Sequence, residues 1–337
     1  MKKTILSLLE DIRGILYKKY RQNRLMTDMT KYNKCYSSID LLEDITEAID
    51  YYKECDESKL NLGAKYLMIY GVLEALYMQQ KAIDDLYVAL DYEKPNLKRD
   101  YPEILYIREV RNDVAGHPTS RTTAEYTTFL SRPDLSLKKI RYEETKNNTF
   151  IDFNIIENIS IQENYIKNIL GELLSKLEQA QKEHIENFKK DKLSDCFQMF
   201  CYAHEKVYSQ GRFYTQNDNM GFNMVGEMII KLKEKLNARF VNWENTDFAY
   251  DIKFVENNNE YLLSRPEIIN EVSEENTFLK INLLENMFSH LEHLKDMAKE
   301  VDTDYENNFE TKFVNDSVEL PKILITNEKG EEVELNV

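Results

Sequence analysis

Apolar positions recur every three or four residues along much of this chain. In residues 4–22, and again in 37–54 where Ile39, Leu42, Ile45, Ile49 and Tyr52 alternate with acids, that spacing gathers one apolar stripe on each helix. Leu62, Tyr66, Ile69, Leu73, Leu76, Tyr77, Ile83, Leu86 and Leu90 extend the pattern into one long helix. Between Pro102 and the Gly116–Pro118 stop, Ile104 to Ala115 predicts a shorter helix with Gly116 as its C-terminal cap. Ile166, Ile169, Leu170, Leu173, Leu177 and Ala180 predict another long helix within 161–190, and further helical stretches fall near 195–209, 222–240 and 274–300.

The period changes to extended runs at Tyr126 to Phe129, Lys139 to Tyr142 and Phe150 to Ile155, around the polar turn Lys146-Asn-Asn-Thr149. A β-hairpin inserted between helices, near 126–155, is the expectation. Two more hairpins are expected at Phe248 to Leu263, around an Asn-rich turn, and at Ile323 to Leu335, around Lys-Gly. The predicted fold class is mainly α: an antiparallel helical bundle with the hairpin insert over residues 1–190, then a mixed, mostly helical region over 191–337.

Composition supports helices over a turn-rich β fold, because only 9 Gly and 6 Pro occur in 337 residues. The 22 Tyr and 15 Phe supply interior surface despite a 31% charged fraction. Glu10 and Asp11 break the first apolar stretch before it reaches signal-peptide length, and no run approaches the roughly 20 apolar residues of a membrane span, so a cytoplasmic protein is expected. Cys35, Cys55, Cys196 and Cys201 contain no CxxC pair and read as free thiols.

Charge changes the picture more. A net charge of -16 repels polyanions, yet residues 94–141 carry ten Lys or Arg against six acids, a window of +4 in a remainder of -20. Within it lies Arg111-Asn112-Asp113-Val114-Ala115-Gly116-His117. Cutting RNA without a metal needs donors that neutralise the phosphate and a group that moves protons at the attacking and leaving oxygens. Arg111 and His117 supply these two functions, and Asn112 can hydrogen-bond the phosphate or orient the imidazole. Asp113 is expected to face solvent. The structural alternative is Arg111 paired with Glu109 or Asp113 while His117 merely caps the helix.

Arg111, Asn112 and His117 resemble the signature of the HEPN family of metal-independent RNA-cutting domains. There an Arg is followed by a polar residue, four or five further residues and a His, at the end of a bundle helix. The run Tyr70-Gly-Val-Leu-Glu-Ala-Leu-Tyr-Met-Gln-Gln-Lys-Ala-Ile83 is similar to the glycine, aromatic and Gln-Gln run of these bundles. The resemblance covers roughly residues 1–190. It implies a homodimer with a composite active site, RNA as substrate, no cofactor and no metal, and products with 2′,3′-cyclic phosphate ends. Catalysis would fall to Arg111, Asn112 and His117, with Arg108, Arg121, Lys98 and Arg99 as substrate-binding cations and a toxin or antiviral-defence effector as the kind of protein. Thr119 stands where some members carry a tyrosine that an antitoxin modifies. Nothing in 191–337 matches a nameable family; selecting RNA, restraining the nuclease and holding a regulatory protein partner all stay open for it. A non-catalytic HEPN-like interaction module is the rival reading, favoured by the overall acidity.

Weaker constellations are His290-Leu-Glu-His293, one helical turn apart and read as plain helix surface, and Cys196, Cys201 and His204, read as packing rather than metal. No phosphate-cradling glycine motif occurs.

Overall fold

The Leu62–Leu90 stripe forms the helix expected of it. In the computed structural model, which describes residues 3–16, 29–116, 118, 127–209, 219–240, 243–265, 268, 274–307, 323–326 and 332–335, α1 spans Ile5–Leu16, α2 Met29–Glu54 and α3 Leu62–Ala89. The α3 N-terminus is fixed by Asn61, whose Oδ1 accepts from the Ala64 amide at 2.8 Å, a cap worth about 1 kcal/mol. Ile69, Leu73, Leu76, Ile83 and Leu86 are fully buried along one face, at roughly 1.5–3 kcal/mol each. A short α4 (Leu97–Asp100) leads to α5 (Pro102–Arg111), which starts on a proline whose missing amide would lack a partner there anyway.

Three antiparallel strands follow, β1 (Thr128–Leu130), β2 (Lys139–Glu144) and β3 (Thr149–Asn154), in the order β1-β2-β3. The expected hairpin is therefore a three-stranded sheet, with Phe129 opposite Glu143 and Tyr142 opposite Ile151. Asn148, at φ 47°, supplies the left-handed residue of the β2–β3 turn. Asn154 then caps α6 (Ile155–Phe188), accepting from the Glu157 amide at 3.2 Å.

Beyond α6 come α7 (Phe200–Ser209), α8 (Met220–Arg239), α9 (Asp247–Leu263) and α10 (Glu274–Glu306). Phe248–Leu263 is thus a helix and not the expected hairpin. Phe248, Ile252, Val255 and Leu262 bury one helical face. The Asn257-Asn-Asn259 run that suggested a turn sits inside it, with Asn258 Nδ2 bonded to the Phe254 carbonyl at 2.9 Å and Asn259 Nδ2 to that of Phe222 at 3.2 Å. The Ile323–Leu335 hairpin does form, β4 (Ile323–Thr326) pairing antiparallel with β5 (Glu332–Leu335).

The protein is mainly helical, and its buried apolar side chains fall into two clusters, one drawn from Ile5 to Leu177 and the other from Ile185 to Tyr305. No helix among the described residues is long and apolar enough to cross a membrane. All four cysteines are free, as expected, and burial pushes the Cys35 thiol up to about 12.

Within the first cluster, amides tie four helices together. Gln162 of α6 is fully buried; its Nε2 donates to Gln79 Oε1 at 2.9 Å and the Leu76 carbonyl at 2.8 Å, and its Oε1 accepts from Gln80 Nε2 at 2.7 Å. Gln79 Nε2 reaches Thr46 Oγ1 on α2 at 3.3 Å, and Gln80 Oε1 accepts from Arg108 Nε on α5 at 3.1 Å. Buried amides at these positions are tolerable because each finds partners.

Candidate active site at the end of α5

The α5 helix does not stop on a glycine cap. After Arg111 the backbone widens into a π-helical turn, Asn112–Gly116, and Gly116 does not take the left-handed conformation a cap would need. Its value is space. A Cβ built on Gly116 would lie 2.7 Å from Arg111 Nη1 and 3.3 Å from Cζ, so the guanidinium packs where any larger residue would put a side chain. Because the obstacle is the end of a flexible side chain, Gly116→Ala is expected to leave the thermal melt nearly unchanged while turning Arg111 aside. If the site cuts RNA, the rate then falls at least about tenfold, the effect of a small misplacement in a positioned group. An unchanged rate would show that Arg111 does not need this seat.

Arg111 is 17% exposed and held from three sides. Its Nε and Nη2 meet Glu74 Oε2 at 2.7 and 2.6 Å, its Nη1 donates to Asn112 Oδ1 at 3.0 Å, and its guanidinium carbon lies 4.6 Å from the centre of the Tyr77 ring. Among the described residues three of the five guanidinium N–H groups are so engaged, which orients the fork. The partner acid is neither Glu109 nor Asp113 but Glu74, one turn before Tyr77 on α3. Arg108 stands over the same ring, 5.5 Å from its centre. Arg108, Arg111 and Asn112 therefore share one face of the bundle.

Asp113 corrects the expectation of solvent exposure. It is 7% exposed, because β1 and β2 cover the π-turn: Tyr142 OH donates to its Oδ2 at 3.4 Å, and the Thr128 hydroxyl donates to its backbone carbonyl. Burial, and after it the Asp113 carboxylate, push the Tyr106 hydroxyl upward. Lys98 and Arg99 sit exposed on α4, where Arg99 forks onto Asp100 at 2.6 and 2.8 Å and is partly neutralised. His117, Arg121 and Thr119 lie outside the described residues.

Beside Arg108, the half-buried Asp84 has its carboxyl pushed above the usual range, chiefly by burial and against the pull of Arg108, Lys94 and Lys81. A carboxyl raised on folding contributes stability below its unfolded value, near 3.9, and loses it as pH rises through the folded one. Asp84→Asn is therefore expected to melt higher than wild type at pH 7, with that advantage shrinking toward pH 3. A lower melt at pH 7 would mean that the Arg108 attraction outweighs the burial cost.

Away from this face, His290 is half-buried and His293 lies at the surface, 61% exposed. Their Nδ1 atoms each lie 2.6 Å from one oxygen of Asp251, a buried carboxylate on α9 that the spacing did not reveal. Cys196 is buried, and His204 packs against Tyr208 and Phe288 with ring centres 4.4 and 4.6 Å apart. Among the described residues no group of three His, Cys, Asp or Glu is arranged to hold a metal.

No protein-family model matches this chain, and no curated protein or solved structure is significantly similar to it.

Proposed function

We propose that this chain is a metal-independent endoribonuclease of HEPN type, working as a homodimer in the manner of a toxin or antiviral effector. In this reading the RNA 2′-hydroxyl attacks the adjacent phosphorus, the 5′-oxygen leaves, and a 2′,3′-cyclic phosphate remains. His117 moves the proton, Arg111 meets the charge developing on the phosphoryl oxygens, and Asn112 orients. Arg108, Arg121, Lys98 and Arg99 hold the flanking phosphates. The observation that carries the reading is the seating of Arg111: an arginine fork fixed by Glu74, Asn112 and Tyr77, six residues before a histidine. The test is RNA incubated with an Arg111→Ala, His117→Ala protein beside wild type. Loss of cutting in the double variant supports the reading, and continued cutting overturns it.

A second reading, a non-catalytic interaction module with a regulatory protein partner, draws on one specific contact. Glu74 neutralises Arg111, which is what a purely structural arginine would do. Wild-type protein that leaves RNA intact would favour this reading.

A further inference from the structure

A cavity of about 410 Å³, inside the roughly 300–1,000 Å³ range of small-molecule sites, opens beside the π-turn. Val114 and Pro118, on either side of the Gly116-His117 pair in sequence, both line it, and Gly116 is the residue against which the Arg111 guanidinium packs. Its other walls bring together Tyr66 and Tyr70 of α3, with ring centres 5.9 Å apart, Phe129 of β1, and Arg132 just beyond that strand. Phe129 is 61% exposed and Tyr70 39% exposed, a large apolar area to leave in water for packing alone.

From this grouping we infer that the cavity is a nucleobase subsite, taking an unpaired base of single-stranded RNA against Tyr66, Tyr70 and Phe129, with Arg132 on the neighbouring phosphate. The inference rests on the reading of the chain as a protein that acts on RNA, and it adds where the strand lies. Aromatic faces are sequence-tolerant platforms for bases, and a cation at the rim suits the polyanionic backbone better than an apolar peptide. The subsite also admits only an unpaired base, because the edge and face of a base within a duplex are already occupied.

The experiment measures fluorescence anisotropy of a labelled, 2′-O-methylated single-stranded RNA, which has no 2′-hydroxyl to attack and so reports binding alone. Phe129→Leu and Tyr70→Leu keep apolar bulk but remove the ring. Each is expected to weaken binding by about five- to 100-fold, the loss that follows removal of one stacking ring, while Phe129→Trp binds as wild type does. Arg132→Gln is expected to flatten the dependence of log affinity on log salt by about 0.7, one phosphate contact on a single strand. Wild-type affinity in both leucine variants, or no binding by wild type, overturns the subsite. Unmodified RNA run in parallel with wild type and His117→Ala separates the two ideas. Ring-dependent binding without cutting removes the nuclease and keeps the subsite; His117-dependent cutting with ring-independent binding does the reverse.

Discussion

Replacing His117 by alanine is expected, in the ribonuclease reading, to slow RNA cleavage by about 10²- to 10⁴-fold, the contribution of a positioned proton-transfer group. Arg111→Ala should cost about 10²- to 10³-fold, since in that reading it removes donors that meet the developing charge. It also strands the Glu74 carboxylate, whose Oε2 loses two contacts of 2.6 and 2.7 Å. Arg111→Lys separates charge from geometry: an ammonium keeps the charge but has no planar fork to meet Glu74 and a phosphate together. Its rate should sit closer to alanine than to wild type. RNA cut by His117→Ala at the wild-type rate would remove the imidazole from the chemistry whatever Arg111 does.

The second large effect is on stability. Gln162→Leu keeps nearly the same volume yet leaves Gln79 Oε1 without its donor and Gln80 Nε2 with only the Ile104 carbonyl at 3.4 Å, in a site that no water reaches easily. A stranded polar group costs about 1–3 kcal/mol, so a loss of about that size is expected, read as a fall of roughly 3–10 °C in the melt. Thr46→Val, at the end of the chain of amides, removes the bond from Gln79 and the hydroxyl's own bond to the Leu42 carbonyl, which already has its helical amide, and should cost about 1 kcal/mol. A Gln162→Leu protein that melts with wild type would show that the four helices are joined by apolar packing alone. Gln80 also holds Arg108, so the same variant should loosen the cation that shares Tyr77 with Arg111.

Periodicity made the helices legible wherever an apolar stripe faced a core, as in α2, α3 and α6. It failed at α9, where three consecutive asparagines read as a turn although Phe248, Ile252, Val255 and Leu262 already had helical spacing. Tertiary burial decided that conflict over local propensity. The Arg111-Asn112 pair was visible as a motif at a helix end, but its partner Glu74 was not. Thirty-seven residues separate the two, and only the packing of α3 on α5 brings them together. Asp113 was misjudged for a related reason: charged side chains are rarely buried unless paired, and its cover comes from β1 and β2, which no pattern local to α5 contains. Asp251 between His290 and His293 is a third case, with its histidines a helix away in sequence.

The most direct test of the ribonuclease reading is to incubate purified wild-type protein with mixed RNA in EDTA and to determine the chemistry of the fragment ends. Fragments ending in 2′,3′-cyclic phosphate, absent with His117→Ala, are the expected result. Intact RNA, or cutting that EDTA abolishes, would contradict it.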